Sequence, residues 1–145
     1  MPLGVRPPRW QRRTVHAAVL TLALTGIAWL LAHYFGRSQG QLGSELPHPA
    51  EPWLLRLHGI AAYASLLVLG SMGTVHVALA WRLRRNRSSG TSLLAATALL
   101  ALTALSLYYG PEAAHAATSL AHWLCGLALL PLLWLHVALA RRRRE

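Results

Sequence analysis

One cysteine, Cys125, stands in a chain of 145 residues, and lysine and aspartate are missing altogether. A single thiol excludes a disulfide framework, a thiolate metal site and the Cys-x-x-Cys-His signature of covalently attached haem. The all-arginine basic set reflects genome composition more than mechanism. Charge is scarce as well: 12% of residues are charged against 54% hydrophobic, too little polar surface to cover a soluble globule. That balance reads as a single integral-membrane domain over residues 1–145.

What the chain does have is four apolar runs, at about residues 14–35, 53–81, 91–109 and 114–140, each near the ~20 residues an α-helix needs to cross the hydrocarbon core. GRSQGQLGSELPHPAEP, between the first two runs, is rich in Gly, Ser and Pro and predicts an irregular exposed loop. RLRRNRSSG makes a basic link between the second and third runs, and GPE breaks the chain between the third and fourth. The first run exceeds the roughly 7–15 residues of a signal-peptide core and no small-x-small cleavage site comes after it, so it counts as a helix. The expected fold is all-α, a transmembrane four-helix up-and-down bundle.

Charge predicts orientation. Of the 14 arginines, twelve fall in the N-terminal tail (Arg6, Arg9, Arg12, Arg13), the middle link (Arg82, Arg84, Arg85, Arg87) or the C-terminus (Arg141 to Arg144). Those regions share one side if four helices alternate in direction, whereas Arg37, Arg56, Glu45, Glu51 and Glu112 fall on the other. The positive-inside rule then makes both termini cytoplasmic. The net charge of +10 is a topology signal and a lipid-surface anchor, and no soluble basic domain exists to bind nucleic acid.

The informative residues are the 8 histidines. Ionisable groups in membrane helices are rare and face the bundle interior or a cavity. His16 and His33 lie near the two ends of the first run, His58 and His76 near those of the second, and His122 and His136 within the fourth; His48 and His115 are peripheral and the third run has none. Fourteen residues separate His122 from His136, about 21 Å of rise and within roughly 40° of one face. His58 and His76 are eighteen apart, five turns and about 27 Å on one face of a regular helix. Two helices would each present an inner and an outer imidazole, the arrangement that two cofactors stacked across a bilayer require.

Paired neutral imidazoles from different helices suit the two axial positions of a haem iron. Zinc wants four N, S or O ligands, and carboxylates and thiolates are nearly missing from these runs. Gly26, Gly59, Gly70, Gly73 and Gly126 would let a macrocycle or a neighbouring backbone approach, although small residues also simply pack membrane helices. Arg56 on one side and Arg12, Arg13, Arg82 and Arg84 on the other suit haem propionates, or merely mark the interface. Trp10, Trp53, Trp81, Trp123, Tyr108 and Tyr109 suit interfacial belts. Cys125 reads as a packing residue, and Glu45 and Glu112 as solvated charges placed where either could take a proton from a quinol. A short repeat, HVALAWRLRR from His76 and HVALARRRR from His136, puts those two imidazoles at similar depth.

RRTVH opening the first helix, Thr25-Gly26 in its middle, RLHG opening the second and His-x13-His in the fourth resemble the di-haem cytochrome b superfamily. The layout is similar to bacterial cytochrome b561 proteins and to the cytochrome b subunits of formate dehydrogenases and nickel-iron hydrogenases. The resemblance runs from about Arg12 to Arg144 and implies two b haems. It implies His122 and His58 as ligands of the outer haem, and His136 with His16 for the inner one. His76 departs from that pattern as a second inner candidate and His33 as a second outer one, so the inner partner stays open between His16 and His76.

The expected activity is electron transfer across the membrane, exchanged with quinone or with a redox partner protein. Some members of the family oxidise superoxide with quinone, and assembly as a homodimer or within a larger complex fits the same expectation. Two other classes stay open: a cofactor-free membrane anchor or assembly subunit whose histidines only join helices, and a small metal-handling transporter whose histidines line a path.

Overall fold

In the computed structural model, which describes residues 8–40, 44–84 and 86–142, the fold is all-α apart from one short strand pair. Helix α1 spans Arg9–Phe35, strands β1 and β2 are Ser38–Gln39 and Glu45–Leu46, and α2 spans Glu51–Met72. A π-helical turn, Gly73–Val77, leads into α3, Ala78–Arg82. Then come α4, Arg87–Tyr109, and α5, Glu112–Arg142. Helices α1, α2, α4 and α5 are each long and apolar enough to cross a membrane, as a multi-pass membrane protein requires.

Three of the helices outrun their apolar stretches at one end or both: α1 begins at Arg9, α4 at Arg87, and α5 runs to Arg142. Backbone hydrogen bonding continues into the polar flanks, where the helix ends reach water. The second span differs more, because the π turn interrupts it. A widened i→i+5 turn inserts about one residue and rotates the downstream side chains by about 100°. The eighteen-residue spacing therefore does not return His76 to the face of His58, as an unbroken helix would.

The chain forms two compact units, Arg6–Thr74 and one containing Val75–Glu145. In the first, α1 and α2 pack as an antiparallel hairpin. His33 meets Glu51 at the turn end, Thr25 meets His58 one level down, and the buried Ser65 donates to the Ala18 carbonyl at 3.3 Å. The α2 positions 51, 58 and 65 recur every seven residues, the period of a left-handed helix seam. In the second unit α4 and α5 form another antiparallel hairpin, with Thr103 against His122, Ala96 against Cys125 and Ser89 against His136. Its α5 seam is His122, the buried Leu129, then His136, again seven apart. The His-x13-His spacing is thus two heptads, which holds both imidazoles toward α4.

Burial follows the logic of a lipid solvent. Ser65 and Thr103 are buried, while Tyr63, Leu67, Leu102 and Trp134 are exposed. Small and hydroxylated residues let helices approach and pair across the seam, and large apolar side chains face outward. Within α5, Pro131 removes one backbone donor between the two histidines.

The loop expected to be irregular contains an ordered element. Strands β1 and β2 pair antiparallel, Ser38 with Leu46 and Gln39 with Glu45. Glu45 is an exposed loop charge, as expected, and it pairs with Arg37 at 2.7 Å beside the strands.

Candidate functional site

Four of the five predicted ligand histidines share one hydrogen-bonding arrangement. His58 Nδ1 lies 3.0 Å from Thr25 Oγ1. That hydroxyl has one proton and directs it to backbone carbonyls of its own helix, Thr21 at 2.9 Å and Leu22 at 3.0 Å. It can then only accept from the imidazole, which puts the ring proton on Nδ1 and the lone pair on Nε2. His122 repeats this in the other unit: its Nδ1–H donates to Thr103 Oγ1 at 2.8 Å, and Thr103 donates to Leu99 and Leu100. His136 Nδ1 and Ser89 Oγ are hydrogen-bonded at 2.9 Å, and Ser89 Oγ also lies 3.3 Å from the Asn86 carbonyl. For His16 the acceptor is the Arg12 carbonyl, 2.6 Å from Nδ1, and a carbonyl cannot donate. In all four the contact is made through Nδ1, the arrangement in which an outer-shell partner orients a histidine that ligates a metal through Nε2.

Close packing supports these positions. A Cβ added at Gly26 would stand 3.0 Å from His58 Cε1, so glycine is what lets the imidazole lie against α1. At Gly90 the added atom would be 3.7 Å from His136 Cε1. The other glycines behave differently from expectation. Gly126 meets only Leu100 at ordinary contact distance, and Gly59, Gly70 and Gly73 face open space within 4 Å.

His76, in the π turn, has its ring centre 6.5 Å from that of His136, with the planes at 81°. These two lie in one unit. His16 and His58 belong to the other.

The remaining histidines are committed elsewhere. His33 donates from Nδ1 to Glu51 Oε2 at 3.0 Å, while Arg37 Nη2 donates to its Nε2 at 3.2 Å, so neither ring nitrogen is left for a metal. His48 Nδ1 accepts from the Ala50 amide at 3.1 Å, and its own amide donates to Glu51 Oε1. His115 is exposed in the first turns of α5. Arg56 lies over the Trp53 ring, 4.8 Å from its centre.

Among the described residues, Trp29 Nε1 is a buried donor with no acceptor. Trp29 lies on α1 between the His33–Glu51 level and the Thr25–His58 level, and its ring stacks on His33 at 4.7 Å. A buried N–H left unpaired costs about 1–3 kcal/mol, and a ligand oxygen near the His58 level would remove that cost.

No three His, Cys, Asp or Glu side chains among the described residues converge as a metal cage. A metal bound by these imidazoles must bring most of its own donors, as the iron of a macrocycle does. Imidazole is a donor that haem iron accepts.

Thr103 and Ser89 complete the site without being histidines. A signal was present: those two hydroxyls are fourteen residues apart in α4, the same spacing as His122 and His136 in its antiparallel neighbour. No protein-family model, curated protein or solved structure matches the chain.

Proposed function

We propose that the protein is a b-type cytochrome of the di-haem superfamily it resembles, carrying electrons across a bacterial inner membrane with both termini cytoplasmic. The single observation that supports this best is the contact shared by His58, His122 and His136, each ring held through Nδ1 by a hydroxyl of the neighbouring helix, Thr25, Thr103 and Ser89. By the resemblance, His58 and His122 would serve the outer haem and His136 the inner one, with the inner partner drawn from His16 or His76.

When bound, haem supplies reversible one-electron chemistry at iron. The chain's own groups do the rest. The histidines would hold the iron through imidazole alone, a donor set suited to electron transfer. The hydroxyls of Thr25, Thr103 and Ser89 pull on Nδ1–H, raise the donor strength of Nε2 and hold the ring orientation. Trp29 Nε1–H, a buried donor one helical turn from Thr25, would offer a hydrogen bond to an acceptor on a bound group. Arginines at the open ends of both hairpins hold the orientation by the positive-inside rule. Electrons exchange with a membrane quinone or a redox partner protein.

Substituting single ligands tests the reading. His122→Ala and His136→Ala should each lower haem content from two per chain to one, measured as pyridine haemochrome against protein. Retention of both haems in either variant contradicts the assignment.

A second reading has one observation in its favour. The same imidazole–hydroxyl bonds join α1 to α2 and α4 to α5, which is what a cofactor-free anchor would need. On that reading Thr103→Val weakens the hairpin while purified protein carries no haem at any stage.

A further inference from the structure

We infer that His76, not His16, is the imidazole that faces His136 across the inner haem iron; the inference rests on the haem reading above. It departs from the pattern of the family the chain resembles, which puts this ligand on the first helix.

Three observations carry it. The first is separation. Two imidazoles bonded through Nε2 to opposite sides of one metal, with bonds of about 2 Å and about 1 Å more from each nitrogen to its ring centre, stand about 6 Å apart. His76 and His136 are 6.5 Å apart, both half-buried and both within one compact unit. That ring separation matches the spacing of two imidazoles sharing one iron.

The second is the backbone. His76 is the fourth residue of the π turn Gly73–Val77. A regular helix would return it to the face of His58, and the inserted residue takes it off that face. π turns weaken a helix and concentrate at functional sites, and the residue this one re-aims is the histidine beside His136. A Cβ on Gly73, at the start of the turn, would meet nothing within 4 Å, so the turn is not forced by crowding there.

The third is the contrast with His16. His136 is fixed on its far side by Ser89 of a different helix, with the Gly90 backbone close to Cε1. His16 is exposed, and its Nδ1–H bonds a carbonyl four residues earlier on its own helix, a bond any histidine on an open helix face can make. The HVALA segment that begins at both His76 and His136 places the two rings at matching depth before their arginines.

The near-perpendicular ring planes give a readout independent of activity. Axial imidazoles at a large mutual angle produce a ferric low-spin signal with a large maximum g value, whereas near-parallel ones produce a rhombic signal. The experiment compares wild type, His76→Gly and His16→Gly, purified as full chains, by haem-to-protein ratio and by low-temperature EPR of the oxidised protein, each with and without free imidazole. His76→Gly should drop from two low-spin haems to one and lose the large-g signal, and added imidazole should restore it. His16→Gly should keep both haems and both signals. The inference is overturned if His76→Gly retains both haems with unchanged EPR. It is equally overturned if haem lost from both variants returns with imidazole only in His16→Gly. A wild-type protein with no haem sinks the cytochrome reading itself, a result distinct from either pattern.

Discussion

Replacing Thr103 by valine removes one hydroxyl from the buried seam between α4 and α5 while keeping nearly the same shape. Thr103 Oγ1 accepts from His122 Nδ1–H at 2.8 Å while donating to its own helix. Valine leaves that N–H without its acceptor and frees the imidazole to change tautomer. Within a bilayer an interhelical bond of this kind contributes about 0.6 kcal/mol on average and about 1.7 at most, so hairpin stability should fall only modestly. The effect on a bound metal is larger, because losing an outer-shell partner of a ligating histidine lowers affinity about 10–100-fold, or about 1.4–2.7 kcal/mol. The ligand also becomes a weaker donor to ferric iron, so the potential should rise, by about 59 mV for each tenfold change in the ferric-to-ferrous affinity ratio. The assay is haem loss to an excess of scavenger protein, with a redox titration alongside. Thr97→Val is the control, since Thr97 bonds only the Leu93 carbonyl of its own helix at 2.9 Å, and Thr103→Ser should restore wild-type behaviour. Equal haem loss and equal potential in Thr103→Val and Thr97→Val would refute the claim that this hydroxyl sets the ligand.

Other expectations rest on single contacts. Gly26→Leu should eliminate the outer haem, because even a Cβ there comes within 3.0 Å of His58 Cε1; Gly70→Leu, facing open space, should leave haem content at the wild-type ratio. Ser89→Ala should weaken retention of the inner haem about 10–100-fold and leave the outer one unchanged, read by potentiometric separation of the two. His33→Ala should keep both haems, since both ring nitrogens of His33 are taken by Glu51 and Arg37, and it should loosen the turn end, read as faster amide exchange at residues 45–51.

Some of this was legible in the sequence and some was not, for physical reasons. Hydropathy alone located the four spans, since the bilayer fixes how long an apolar helix must be. The fourteen-residue step from His122 to His136 carried its meaning openly, because two heptads keep one seam toward α4. His58 and His76 were misjudged as sharing a face, because the periodic reading assumes an unbroken helix and nothing in GTVHV announces a π turn. The pairings of Thr25 with His58 and of Thr103 with His122 join residues 33 and 19 positions apart, a distance over which local pattern says nothing until hairpin register is known. For the same reason the sequence leaves His33 open between an interfacial residue and a second outer candidate. Only the register that brings Glu51 beside it shows that its ring is already spent on an ion cluster.

The most direct test is optical. The wild-type chain, expressed with ample haem precursor and purified in mild detergent, should show a dithionite-reduced minus oxidised spectrum with the sharp α-band of low-spin b haem, amounting to two haems per polypeptide. A colourless, well-folded protein with intact helical circular dichroism would contradict the haem assignment and leave only the membrane topology standing.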